Sequence, residues 1–196
     1  MNQPVDPVAV ALRVTGALDA LGIAHTIGGS IASSVAGEPR STVDIDIVAA
    51  LTPEQVMPLV HALEPEFYVE EDALRRAVRE KGSANLIHHA TQLKVDVFVA
   101  GGTPLDEQQI ARRQEVVLGP GRVLHVHQPE DILLQKLRWY RRGGEVSDRQ
   151  WRDVLGIVRV QGDRLDRAYL QQNAPSLDVA DLLQRAFREG GSGVSS

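Results

Sequence analysis

Between Val43 and Val48 the chain alternates strictly: Val43, Ile45 and Ile47 are apolar and branched, and Asp44 and Asp46 stand between them. A strand sends successive side chains to opposite faces, so the branched residues turn to a core and both carboxylates turn away from it. At a rise of about 3.3 Å per residue, the carboxylates sit roughly 6.6 Å apart along the strand. That spacing lets them converge on a divalent cation. The segment must therefore be one strand of a sheet that is buried on one face and acidic on the other.

A second strand, Lys94–Val99, follows the same rule. Val95, Val97 and Val99 form its buried face, and Asp96 points away. Laid beside Asp44–Val48, it would bring three carboxylates to one sheet face. Such a cluster is unfavourable alone, because like charges at short range raise one another's pKa, and a bound cation removes the conflict. Upstream, Ala24–Ile27 reads as a short strand running into Gly28-Gly29, and Ser30–Val35 as a short helix. This order puts Ser30 at a helix N-terminus, where unpaired N–H groups and the helix dipole favour anions.

Gly28-Gly29-Ser30, Asp44-x-Asp46 and the later Asp96, with Gly37-Glu38-Pro39-Arg40 between, resemble the nucleotidyltransferases of the DNA polymerase β type. The layout is similar to small bacterial members, including antibiotic nucleotidyltransferases and the nucleotidyltransferase-like toxins of abortive-infection and toxin–antitoxin systems. Pro129–Leu137 and Asp148–Val154 resemble the helical half of the toxin-like group, so the likeness spans residues 24–160.

The resemblance implies an α/β fold, with a mixed β-sheet flanked by helices and a helical C-terminal part. It also implies transfer of a nucleoside monophosphate from an NTP, ATP among them, to a hydroxyl on RNA, protein or a small molecule. Asp44 and Asp46 would hold Mg²⁺ or Mn²⁺ on the triphosphate, and Asp96 would complete a second metal site for the acceptor hydroxyl. Gly28, Gly29 and Ser30 would bind the β and γ phosphates. Arg40 and Thr42 would steady the triphosphate, although Arg40 equally suits a salt bridge at the strand end. Lys136 matches a phosphate-binding cation, or is an exposed helix lysine. The toxin-like half further implies a small antitoxin partner. An arginine–aspartate pair directly after the Gly-Gly turn, found in antibiotic-resistance and tRNA-end-processing patterns, is absent here. The competing reading is a catalytically degenerate module of the same fold that binds nucleotide or a protein partner.

The rest of the chain bounds these readings. Its 196 residues, 43% hydrophobic and 24% charged, suit one substantial core or a small domain with a helical appendage. No cysteine is present, which excludes disulfides, thiol catalysis and zinc–thiolate sites and fits a reducing cytoplasm. No secretory signal or membrane span is expected. A net charge of −5 disfavours broad binding to nucleic acid, which needs dense phosphate neutralisation. Two local strips, Arg138/Arg141/Arg142 and Arg75/Arg76/Arg79, read as basic patches or as solvated helix faces.

Helices are expected over 7–21, 52–63, 72–81 and 104–113, and a hairpin turns at Gly119-Pro120-Gly121. After it, Pro129–Arg142, Ser147–Val160, Leu165–Asn173 and Leu177–Arg188 read as helices. The expected division is a catalytic core over 1–127, a helical region over 128–189 and a disordered tail over 190–196. His125 and His127 are placed on one strand face, His88 and His89 on opposite faces, and Trp139 and Trp151 between helices.

Overall fold

The computed structural model describes residues 6–38, 44–101 and 103–191. These form two compact units, the first from residues 6–31, 44–101 and 103–126 and the second from residues 32–38 and 127–191. In chain order the elements are α1 (Pro7–Ala20), β1 (His25–Ile27), α2 (Gly29–Ala36), β2 (Ile45–Ala49), α3 (Val56–Leu63), β3 (Phe67–Val69), α4 (Glu71–Glu80), β4 (Ser83–His88), β5 (Lys94–Val99), α5 (Pro104–Ala111), β6 (Gln114–Gly119), β7 (Arg122–Val126), α6 (Pro129–Arg142), α7 (Asp148–Gln161), α8 (Arg167–Asn173) and α9 (Ala180–Gly191). Among the described residues, no helix is long and apolar enough to cross a membrane.

The first unit carries a seven-stranded sheet in the order β3-β4-β5-β2-β1-β7-β6. It is mixed: β2 runs parallel to β5 and β1 parallel to β7, while the other neighbours are antiparallel. The period-2 pattern dictates the result. Ile45, Ile47, Ala49, Val95, Val97 and Val99 are all buried, whereas Asp46 and Asp96 are only partly covered. Each fully buried branched side chain contributes about 1.5–3 kcal/mol relative to exposure, so a one-residue register slip would exchange the two faces at high cost. Local chemistry sets the helix starts. Asp6 Oδ1 accepts the Val8 N–H at 3.0 Å ahead of Pro7, and Thr103 and Asp106 form a reciprocal capping box at α5.

The second unit is helical. Leu133, Leu134 and Leu137 of α6, Val154 and Ile157 of α7, Leu170 of α8 and Ala186 of α9 have no exposed surface. Polar links run through this core. Tyr169 Oη donates to Asp131 Oδ1 at 2.6 Å, and Lys136 Nζ donates to Asp153 Oδ2 at 2.7 Å.

Several sequence expectations need correction. Trp139 does not pack between helices; it is 47% exposed and lies under the Arg142 guanidinium, 5.6 Å from its ring centre. Trp151 is buried against Tyr140, as expected. His127 shares no strand face with His125, because β7 ends at Val126 and His127 is buried beyond it. His89 likewise lies past the end of β4. Gly190 and Gly191 are the last residues of α9 rather than a tail. A Cβ on Gly190 would come within 2.8 Å of Val158 Cγ1, so its smallness lets α9 pack on α7. The remainder of the expected tail, 192–196, lies outside the described residues.

Candidate active site

Asp46 on β2 and Asp96 on β5 are direct partners in the parallel ladder. Neighbouring strands lie about 4.8 Å apart, and partners in register share a face, so both carboxylates leave the sheet side by side. Asp44 stands exposed just before β2. The Gly-Gly turn closes on the same place. The Gly28 N–H donates to the Asp46 carbonyl at 2.9 Å, and Gly29 has a left-handed φ of 55°. A Cβ on Gly29 would stand 1.7 Å from Asp46 Oδ2. Gly29 is thus the residue whose missing side chain leaves room for the Asp46 carboxylate. Ser30 is buried in the first turn of α2.

Lys94 was not singled out by the sequence reading and belongs to this cluster. Its Nζ lies 2.9 Å from Asp96 Oδ2. The hydrogen bond to Asp96 holds the ammonium pKa above its ordinary value against desolvation, aided by the charges of Asp96, Asp44 and Asp46. The signal was available, because Lys94 precedes Asp96 by two residues on β5 and so shares its face.

Arg40 and Thr42 lie outside the described residues. Lys136, in the second unit, is neither exposed nor without a partner: it is 9% exposed and pairs with Asp153. The arginine strips are interleaved with acids. Arg75 pairs with Glu71 at 2.6 Å and Arg79 with Glu80 at 3.3 Å. Arg141 is held by Glu145, Asp181 and the Asp178 carbonyl.

The donor set fits a hard divalent cation. Asp44, Asp46 and Asp96 offer only carboxylate oxygens, the ligands that Mg²⁺ and Mn²⁺ prefer. The Asp46 carboxylate fills the space that a side chain on Gly29 would take, and Lys94 neutralises part of the acidic face while holding an Asp96 oxygen that an ion would share.

No family model matches the chain, and no curated protein matches it in sequence. Solved structures do. An antigenic nucleotidyltransferase-like protein from Paracoccidioides brasiliensis is 18% identical with a TM-score of 0.54, over 89% of this chain and 90% of that one. ANT(2″)-Ia in complex with adenylyl-2″-tobramycin is 13% identical with a TM-score of 0.55, over 87% and 96%. The lincosamide antibiotic adenylyltransferase LnuA, lincomycin-bound, is 12% identical with a TM-score of 0.51, over 81% and 99%. At these identities the likeness is one of fold: the chain shares the mixed α/β fold of these nucleotidyltransferase-like and adenylyltransferase structures.

Proposed function

We propose that the chain is a metal-dependent nucleotidyltransferase that moves a nucleoside monophosphate from an NTP to a hydroxyl acceptor. The observation that carries this reading is the meeting of Asp46 and Asp96 across β2 and β5, with Gly29 shaped around the Asp46 carboxylate. Asp44, Asp46 and Asp96 would hold Mg²⁺ or Mn²⁺. The bound cation supplies charge neutralisation on the triphosphate and a lowered pKa for the attacking hydroxyl.

The chain's own residues do the positioning. Gly29 and Ser30 open α2, whose first backbone N–H groups would meet the β and γ phosphates together with the Ser30 hydroxyl, while Gly28, its own N–H given to the Asp46 carbonyl, would let the turn approach closely. Lys94 holds the Asp96 carboxylate in one orientation. Arg40 and Thr42, just ahead of Asp44 in sequence, join the triphosphate contacts. Lys136 would have to leave Asp153 before it could bind phosphate, so it carries no role in this reading.

The net charge of −5 favours a small acceptor over a long nucleic acid. Two of the similar structures involve adenylyl transfer and a small antibiotic, which makes ATP the first donor and small hydroxyl compounds the first acceptors to try. A toxin with a small antitoxin partner is the more specialised form of the reading, supported by the resemblance of the helical segments alone.

Incubation with Mg²⁺ or Mn²⁺, each labelled NTP and an acceptor panel should release pyrophosphate, and a chelator should stop it. Asp96→Asn should keep most NTP affinity and lose about 100-fold or more in turnover, since the charge stabilisation at the attacking oxygen is gone. Asp44→Asn should lose metal-dependent binding as well. Near-wild-type turnover in folded Asp96→Asn, or no NTP binding by calorimetry, overturns the proposal. Binding without turnover across the panel would instead favour the nucleotide-binding module.

A further inference from the structure

We propose that Asp19, His25 and His125 form a second metal site, built for a borderline divalent transition ion of the Zn²⁺ type. One ligand atom from each of the three lies within 4.8 Å of the other two. Tetrahedral zinc with bonds of about 2.0–2.1 Å places its donors roughly 3.4 Å apart, so small side-chain rotations close the trio. The residues come from three segments of the first unit: the last turn of α1, the first residue of β1, and β7. An ion here would tie the end of α1 to two strands of the sheet.

Both rings are oriented from outside the trio, and the Arg113 charge felt at His25 is one that the Asp19 carboxylate would offset for a bound ion. Each imidazole has one nitrogen turned to an oxygen outside the trio. The Ile23 carbonyl lies 3.1 Å from His25 Nδ1, and Glu115 Oε1 lies 3.5 Å from His125 Nε2. Such partners fix the tautomer and orient the ring of a metal-binding histidine. With the Nδ1–H of His25 donated to Ile23, the lone pair falls on Nε2. That atom is buried with no hydrogen-bond partner, in a residue only 2% exposed. Ligation through Nε2 would satisfy it and requires Asp19, now 3.7 Å from Nδ1, to turn toward that edge of the ring.

Asp19 supplies an independent sign. It sits in the last turn of α1, where the helix dipole disfavours a carboxylate, and that turn has no basic residue. Its Oδ1 is 3.7 Å from His25 Nδ1, beyond ordinary hydrogen-bond reach. The imidazole rings meet edge to face, 5.4 Å between centres, rather than stacked. Two imidazoles and one carboxylate, with no thiolate, select Zn²⁺, Co²⁺ or Ni²⁺ over Mg²⁺ or Ca²⁺. Asp19 is exposed and His125 partly so, which leaves an entry path and a place for water as a further ligand.

The test uses the chelator-treated full chain carrying Asp46→Asn, so that the carboxylate face is weakened as a competing site. Co²⁺ is titrated by visible d–d absorption and Zn²⁺ by competition with a chromophoric chelator. The expected result is one equivalent bound with the absorption of a low-coordinate nitrogen–oxygen site, and an unfolding temperature that rises with Zn²⁺. Asp19→Asn and His125→Gln, both at accessible positions, should each weaken binding by about 100-fold. Glu115→Gln should weaken it by about 10-fold, because it only orients His125. Absence of binding, a six-coordinate all-oxygen spectrum, or unchanged affinity in folded Asp19→Asn and His125→Gln overturns the proposal.

Discussion

At the scale of single residues, Gly29 and Asp46 act as one device. A methyl group on Gly29 would overlap the Asp46 carboxylate at 1.7 Å, and a left-handed φ of 55° adds about 1–2 kcal/mol of strain for any other residue. Gly29→Ala should therefore destabilise the chain and displace the carboxylate, with turnover falling together with it. Most of the steric part should be relieved when Asp46→Ala is present, only the retained Cβ at 2.9 Å remaining, giving a coupling of about 0.5–3 kcal/mol in a double-mutant cycle read by urea unfolding. Strict additivity of the two changes would show that Gly29 is glycine for another reason. The Gly-Gly turn was legible as a place of close approach, but not what approaches it: the nearest neighbour of Gly29 is a side chain of β2, beyond the helix that follows the turn. Lys94 was legible by period and went unread, because a lysine at a strand start looks like a solvated edge until its oxygen partner is in view.

At the scale of elements, α6 and α7 are joined by Lys136 and Asp153, whose side chains are 11% and 8% exposed. Removing the Asp153 carboxylate leaves the Lys136 ammonium buried without its counter-charge, at about 3–5 kcal/mol. Asp153→Ala should show that loss in denaturant unfolding, and Lys136→Met in the same chain should recover most of it. A cost below about 1 kcal/mol for Asp153→Ala would mean that water reaches the ammonium. The helices themselves were legible. Their N-terminal Asp, Ser and Pro residues and the apolar spacing of Leu133, Leu134 and Leu137 are local signals, and the observed α6 has the expected bounds. Pairings between helices are not local. Lys136 reads as an ordinary surface residue unless Asp153 is known to face it, and Trp139 reads as core until its exposure is seen.

At the scale of the whole molecule, alternation told which face each strand buries but not which strand lies beside which. Lys94–Val99 carried its own pattern, so Asp96 could be assigned a face, while its position opposite Asp46 depends on a sheet order that no single segment encodes. The Asp19, His25 and His125 grouping was hidden for the same reason, since its members lie on three separate elements. The parallel ladder of β2 and β5 has one more consequence, for the course of folding. Between these strands the chain must first make α3, β3, α4 and β4. Their pairing is non-local, of the kind that forms slowly and late. The carboxylates would then be apart in the rate-limiting ensemble and together only in the product. Mg²⁺ should consequently slow unfolding in urea, which leaves charges unscreened, while barely changing the refolding rate. Stopped-flow rates with and without Mg²⁺ measure both limbs, and faster refolding with the cation would mean that Asp46 and Asp96 already meet before the barrier is crossed.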